Sequence, residues 1–403
     1  MEIDKQELKK LVLKNIDLSK ELKDEEIFET IDELLLIKSK NSYISIKDKN
    51  RLRWEVFNSI RRLDILQELI EDNTITEIMI NGPKHIFIEQ KGRISTWNKE
   101  FDSDRNLQDI VQQIVSKSNR IINEASPIVD ARLDDGSRVN IVLPPVALNG
   151  PIITIRKFPN HPITIDTLLN MNTVTKECSD FLEKLVVAGY NIFISGGTGS
   201  GKTTFLNVLS NFIPSDERVI TIEDSAELQI KNITNLVRLE ARNANVEGKN
   251  EVTIRHLIKS AMRMRPDRIV VGEVRDGAAL DMLQAMNSGH DGSLSTGHAN
   301  SPLDMLSRLE TLVLMGMDLP LMAVRKHITS ALDIIVHLER LRDKTRKVTA
   351  ISEVLDLEEG NFVVNKLFEF KEVGEENNKV KGQLTKTGNK LIHTNKLSKA
   401  GLL

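Results

Sequence analysis

One glycine-rich run, Gly196-Gly197-Thr198-Gly199-Ser200-Gly201-Lys202-Thr203-Thr204, has the residue types and spacing to hold a phosphate. It follows the apolar run Ile192 to Ser195 and precedes helix-spaced Phe205, Leu206, Val208, Leu209 and Phe212, which is the strand–turn–helix context that a phosphate loop needs. Glycines let the backbone close around an anion so that successive N–H groups and a helix N-terminus point at it. Lys202 then reaches the β- and γ-phosphates, and the Thr203 hydroxyl reaches Mg²⁺.

A magnesium-bound triphosphate also needs carboxylates to hold the metal or its waters and to polarise the attacking water. The chain offers them where strands end: Glu223 and Asp224 follow Val219 to Ile222, and Glu273 follows Arg268-Ile269-Val270-Val271-Gly272. In an open α/β sheet, ligands sit at the carboxyl ends of the strands. His298, in Leu294 to Asn300, also follows a short apolar run, and a neutral imidazole there can hydrogen-bond a terminal phosphate or its attacking water. His290, eight residues earlier, is a weaker candidate. Guanidinium groups bind phosphate oxygens bidentately. Arg132, Arg138, Arg156, Arg238, Arg242, Arg263, Arg265, Arg268 and Arg275 form the pool, and their spacing alone assigns none of them.

The elements that must position these groups follow from periodicity. Beyond about Met171 apolar strand-like runs alternate with helical patterns, predicting an α/β domain built on a mostly parallel, doubly wound sheet. Before it, Ile75 to Ile80, His85 to Glu89, a helix with Asp104 as N-cap, a hairpin over 131–141 and a strand from Ile152 to Phe158 predict a small α/β domain. Residues 1–70 read as helices. Ile27, Ile31, Leu34 and Leu35 share one face, and Leu52, Val56, Ile60, Leu63, Leu66 and Ile70 repeat over five turns. The expected boundaries are an N-terminal helical bundle (1–70), the small α/β domain (71–158), an interdomain connection (159–174), the nucleotide domain (175–357) and a polar, basic appendage (358–403). Six lysines without an acid after Asn377 predict a solvated, mobile tail there.

Composition excludes several classes. With 55 Lys+Arg against 58 Asp+Glu, the net charge is −3, so no global field draws in nucleic acid, and 4% aromatic residues provide little for base stacking. No nucleic-acid partner is expected. The single Cys178 cannot form an intrachain disulfide and reads as a small buried hydrophobe. No run reaches membrane-spanning length, and the acidic, polar start is unlike a signal peptide, so the expected location is the cytoplasm.

Taken together, the motifs resemble the type II/type IV secretion ATPase superfamily, most closely its CpaF-type branch, the assembly ATPases of tight-adherence (Flp) pili. The resemblance covers residues 72–357. It rests on Ile75-Thr76-Glu77-Ile78-Met79-Ile80-Asn81-Gly82-Pro83, Asp134-Asp135-Gly136-Ser137-Arg138-Val139-Asn140, Thr154-Ile155-Arg156-Lys157-Phe158, the phosphate loop, Thr221-Ile222-Glu223-Asp224, the segment Met264 to Arg275 and the segment Gly289 to Asn300. It implies a RecA-like P-loop domain after a smaller α/β domain, with nucleotide between the two, and a homo-oligomeric, hexameric ring. By resemblance, ATP and Mg²⁺ are the substrate and cofactor, Lys202 and Thr203 bind phosphate and Mg²⁺, and Glu223 orients or deprotonates water. Glu273 supports the Mg²⁺ shell through water, His298 senses the γ-phosphate, and Arg138, Arg156 and Arg242 are candidate fingers. The implied work is pilus assembly or type II-like secretion with an inner-membrane platform protein, at the inner face of the membrane, with one domain swinging on the other about the connection. The alternatives are a conjugation-type translocation ATPase of the same superfamily and a non-hydrolysing, nucleotide-responsive scaffold.

Overall fold

The structure, a computed structural model, describes residues 4–17, 20, 22–40, 43–90, 92–117, 120–158, 162–242, 244 and 249–403. The chain divides into two units, Met1–Asn160 and His161–Leu403.

In the first unit, α1 (Lys5–Asn15), α2 (Asp24–Ser39) and α3 (Ile46–Arg61) bury the apolar stripe that the sequence predicts, with Leu8, Val12, Ile27, Ile31, Leu35, Leu52, Val56 and Phe57 meeting in one cluster. The five-turn repeat expected from Leu52 to Ile70 does not form one helix. Asp64 adopts a left-handed φ of 50°, its N–H donates to Asn58 O at 3.1 Å, and its buried carboxylate accepts from Lys5 Nζ at 2.7 Å. Aspartate tolerates that backbone region, so the chain breaks there and restarts as α4 (Leu66–Glu71). Leu66 and Leu69 then join a different core, under the sheet.

That sheet is antiparallel, in the order β3 (Arg93–Thr96), β2 (Ile86–Gln90), β1 (Ile75–Asn81), β6 (Ile152–Arg156), β5 (Arg138–Val142), β4 (Ile128–Arg132). Helix α5 (Asp104–Lys117) contributes Leu107, Ile110, Val111, Ile114 and Val115 to the same core. Asp104 is its first helical residue and not the cap: the Ser103 hydroxyl accepts the Asn106 N–H at 3.2 Å.

The second unit is built on nine strands: β7 (Ile192–Gly196), β8 (Arg218–Glu223), β9 (Asn235–Glu240), β10 (Arg268–Val271), β11 (Leu294–Gly297), β12 (Ile334–Arg340), β13 (Arg346–Val354), β14 (Val364–Glu376) and β15 (Lys379–Lys386). Their order is β15-β14-β13-β12-β7-β11-β10-β8-β9, parallel from β12 to β9 and antiparallel from β12 to β15. All of β7 is buried, because both faces of the sheet are covered. Ile192 and Ile194 face one cluster with α7 (Lys176–Val187) and α8 (Lys202–Ser210). Phe193 faces the other, with α9 (Ile254–Ala261), α10 (Ala278–Asn287), α11 (Pro302–Gly316) and α12 (Leu321–Ala331). Each fully buried Ile, Leu or Phe side chain contributes about 1.5–3 kcal/mol. Cys178 lies within the α7 face, and burial pushes its thiol pKa up.

Two expected boundaries change. Of the connection, Pro159 to His161 lie outside the described residues, as do Met1 to Ile3 of the expected bundle; α6 (Ile165–Asn170), capped by Thr164, buries Leu168 in the core of the second unit. The stretch after Asn377, expected as a mobile tail, instead pairs with β14 as β15 and ends in α13 (Asn395–Lys399). Buried Glu353 accepts the His393 N–H at 2.7 Å, Tyr190 Oη donates to His393 O at 2.6 Å, and Lys396 pairs with Asp291 and Asp333. The acids that balance these lysines come from elsewhere in the chain. Among the described residues no helix is long and apolar enough to cross a membrane.

The loop after β10 is anchored by a contact between two glycines. A Cβ on Gly316, at the end of α11, would lie 2.7 Å from the Cα of Gly277, which opens α10. Gly316→Ala is therefore expected to lower the stability of the second unit by about 1–3 kcal/mol through overpacking, read by denaturant unfolding; an unchanged midpoint would refute the contact.

Candidate active site at the strand ends

The carboxyl ends of β7, β8, β10 and β11 converge because these strands run parallel and in register. Ser195 pairs with Gly297, Thr296 with Ile194, and Val271 with both Ser295 and Ile222. The phosphate loop leaves β7 and enters α8, whose N-cap Gly201 has a left-handed φ of 94°. Lys202, only 7% exposed, donates from Nζ to Gly197 O at 2.9 Å and to His298 Nδ1 at 3.2 Å. Thr203 and Thr204 follow in the first turn of α8 and are partly exposed.

His298 extends the contact to the next strand. Its Nε2 lies 3.0 Å from Glu273 Oε1, without a well-directed hydrogen bond, and Glu273 Oε2 accepts from Arg275 Nη2 at 2.6 Å. Arg275 in turn sits 3.5 Å from Asp224. Burial, and then the Lys202 ammonium, push the His298 pKa below its ordinary value, against the opposing pull of Glu273. The ring is therefore neutral near pH 7 and accepts the lysine proton at Nδ1, with its own proton on Nε2.

Glu223 ends β8 and is 3% exposed. Its Oε2 accepts the N–H groups of Glu227 at 2.8 Å and Leu228 at 3.0 Å, while Oε1 has no partner. Burial is the largest influence on this carboxyl and raises its pKa; the two N–H donors oppose it. Gly272 makes room for it, since a Cβ there would lie 3.0 Å from Glu223 Cγ. Ser200 Oγ is likewise buried without a partner. Unpartnered oxygens on Ser200, Glu223 and Glu273, close to a buried ammonium, fit a site for a polar, anionic substrate and its metal.

Lys202, Glu273 and His298 are thus brought together, and Glu223 stands beside them across Gly272. Other sequence candidates lie elsewhere. His290 precedes β11, at the amino end of the strand, where Nδ1 is 3.3 Å from Ala285 O, so it does not share the site. Arg268 begins β10 at that same end; it is buried, pairs with Glu217 and donates to Val186 O, and its role is structural. Arg242 follows β9, is exposed, and donates from Nε to Asn250 O at 2.9 Å. Arg138 and Arg156 belong to the first unit, where they are register partners across β5 and β6, with Arg132 next to Arg138 and Glu77 next to Arg156.

Residues that sequence reading missed come from the β12–β13 hairpin. His337 is 2% exposed, its Nδ1 lies 2.8 Å from Ser195 Oγ at the end of β7, and burial lowers its pKa. It props the strand from which the loop springs. Arg346 Nε donates to Gly199 O, within the loop itself, at 2.9 Å. No local pattern marks these residues, because their partners lie more than 140 positions away in the chain.

A glycine-rich loop between a buried parallel strand and a helix, backed by acids at neighbouring strand ends, defines a P-loop protein with a RecA-like sheet. The chain belongs to the type II/IV secretion system protein family, whose model matches residues 61–394. A putative conjugal transfer protein of Mycobacterium tuberculosis is 33% identical over 294 residues, spanning 72% of this chain and 83% of that one. The type IV secretion system protein VirB11 of Bartonella henselae is 32% identical, spanning 72% of this chain and 92% of that one. The solved structure of the Yersinia pseudotuberculosis ATPase DotB shares the fold, with a TM-score of 0.50, 18% identity, and coverage of 75% and 77%.

The Lys202–His298 contact has a measurable consequence. The imidazole of His298 is expected to titrate below the ordinary histidine value, and Lys202→Ala to move its pKa upward by removing a neighbouring positive charge. Side-chain NMR of selectively labelled histidine checks this, and an unmoved His298 titration in Lys202→Ala would sink the contact.

Proposed function

We propose that this chain is a magnesium-dependent ATP hydrolase that powers a secretion system as a cytoplasmic, hexameric motor. The observation that carries this reading is the meeting of Lys202, His298 and Glu273 at three neighbouring strand ends, with Glu223 beside them. Gly196 to Thr204 bind the phosphates through backbone N–H groups, with Lys202 exchanging Gly197 O for phosphate oxygens. Thr203 and, through water, Glu273 would hold Mg²⁺, together with oxygens of the nucleotide itself. The bound metal would neutralise charge on the transferring phosphoryl group.

Glu223 handles the proton. Its Oε2 is pinned by two N–H donors, which leaves Oε1 to take the proton from water as the water oxygen attacks the γ-phosphorus and the bond to the β-phosphate oxygen breaks. The raised pKa strengthens it as a base, and it works only above that value, so turnover falls as pH drops through it. His298, neutral and in contact with Lys202, reports the terminal phosphate. The arginines proposed to stabilise charge are Arg138, Arg156 and Arg242.

Lys202→Ala and Glu273→Ala are expected to abolish Mg²⁺-dependent phosphate release, and Glu223→Gln to cut kcat by roughly a hundredfold or more. Stability moves the other way for Glu223→Gln. A carboxyl whose folded pKa is raised supports the fold below its unfolded pKa and loses that support as pH rises through the folded value. The glutamine variant should therefore melt higher than the native chain at neutral pH. Turnover equal to the native chain in any of the three variants counts against the reading.

The motifs of the sequence support a finer proposal: a CpaF-type motor for Flp-like pilus assembly or type II-like secretion, docked on an inner-membrane platform protein. Relatives named for conjugal transfer favour a second reading, translocation in conjugation. DNA separates the two. With a net charge of −3 and few aromatic residues, hydrolysis is expected to be indifferent to DNA. Stimulation that declines steeply with salt would select conjugation.

A further inference from the structure

Strand β12 outruns its neighbour: Leu338 pairs with Gly196, the last residue of β7, and Glu339 and Arg340 continue past it. With β13 they form a hairpin whose end lies against the phosphate loop. Arg346 Nε donates to Gly199 O at 2.9 Å, a Cβ on Gly201 would lie 3.3 Å from Arg346 Cδ, and a Cβ on Gly199 would lie 3.8 Å from Arg340 Nη1. Arg340 and Arg346 are also register partners, directly opposite each other. Like charges in that position destabilise a strand pair.

Two other cations of the hairpin are neutralised or bonded, and Lys344 is exposed in its turn. Arg342, in the turn, pairs with Glu372 at 2.6 Å and Glu375 at 2.9 Å, and Lys347 Nζ donates to the carbonyls of Met171 and Asn172. Arg340 and Arg346 meet no carboxylate among the described residues. Two guanidinium groups without counter-charges therefore lie on a loop whose chemistry calls for an anion.

We propose that Arg340 and Arg346 bind the nucleotide, holding the phosphates nearest the nucleoside on the side of the loop away from the reacting phosphoryl group. The sheet sets that side. β7 has two neighbours: β11 leads to His298, which with Glu273 marks the reacting end, and β12 carries Arg340, with Arg346 opposite it on β13. Contacts to a part of the substrate that does not change during reaction stabilise ground state and transition state alike. They deepen binding without speeding the chemical step. This inference rests on the proposed ATP site.

The test is titration of the full chain with fluorescent ATP and ADP analogues, alongside steady-state hydrolysis, for Arg340→Gln, Arg346→Gln, the double variant and Lys202→Ala. Each arginine variant is expected to weaken ATP and ADP equally, by about fivefold or more, as for loss of a charge-assisted contact. KM should rise in step while kcat changes less than twofold. Arg346→Lys keeps a charge without the planar fork and should recover only part of the affinity. Arg340→Gln breaks no hydrogen bond of the free protein, so it tests the idea even if losing the Arg346–Gly199 bond unsettles the loop. Affinities within twofold of the native chain in the double variant overturn the proposal. So does a fall in kcat without a change in affinity, or a loss confined to ATP. A native chain that binds neither nucleotide overturns the ATP site itself. Binding lost in Lys202→Ala but intact in the double arginine variant leaves the ATP site standing and removes this inference alone.

Discussion

A lysine ammonium that is almost fully withdrawn from water sets the terms for the second unit. Taking such a charge out of solvent costs several kcal/mol unless acceptors surround it. Among the acceptors of Lys202 are a carbonyl of its own loop and a histidine ring that must stay neutral to accept. Burial and the ammonium itself keep that ring neutral, while its other nitrogen faces Glu273, and Glu273 brings in Arg275 and Asp224. These groups follow four different strands, so the arrangement exists only if the strands end at one level. The parallel register provides that, and the two apolar faces of the sheet hold it.

Two buried glutamates show how the same side chain serves opposite ends. Glu353 is 1% exposed, and its oxygens accept from Ile392 N, His393 N and Asn365 Nδ2, so the group is spent on pinning the C-terminal segment to β13. Glu223 is nearly as buried but leaves one oxygen unpartnered at a strand end. A satisfied buried carboxylate is structure; an incompletely satisfied one, with its pKa pushed up by burial, is the kind of group that the proposed proton transfer would use. The Gly272 backbone is what lets Glu223 approach the neighbouring strand end so closely.

Much of this was legible in the chain itself. The phosphate loop, the strand-end acids Glu223 and Glu273, and His298 are local patterns, in which a residue's place on an element follows from its immediate neighbours. The helical stripes around Ile27 and Val56 were equally local. Reading failed where partners were distant. The repeat through Leu52 and Ile70 looked continuous, yet Asp64 breaks it by pairing with Lys5. A lysine-rich C-terminal stretch looked like a loose tail, yet Lys386 meets Glu177 and Lys396 meets Asp291 and Asp333. His290 and His298 lie on opposite sides of β11 in the sequence, so the direction of that strand places His298 at the site and His290 at the far end.

By itself, the sequence determined the kinds of element, the order in which they occur and the presence of a phosphate loop, because glycine spacing, apolar periodicity and strand-end acids act over a few residues. Tertiary structure alone decided which charges are answered and which are left over. Pairing of Lys202 with His298, the support of Ser195 by His337, and the two uncompensated arginines against Gly199 and Gly201 depend on strands adjacent in the sheet and far apart in the chain. Electrostatic interactions are set by distance in space, and that distance is fixed only when the sheet assembles.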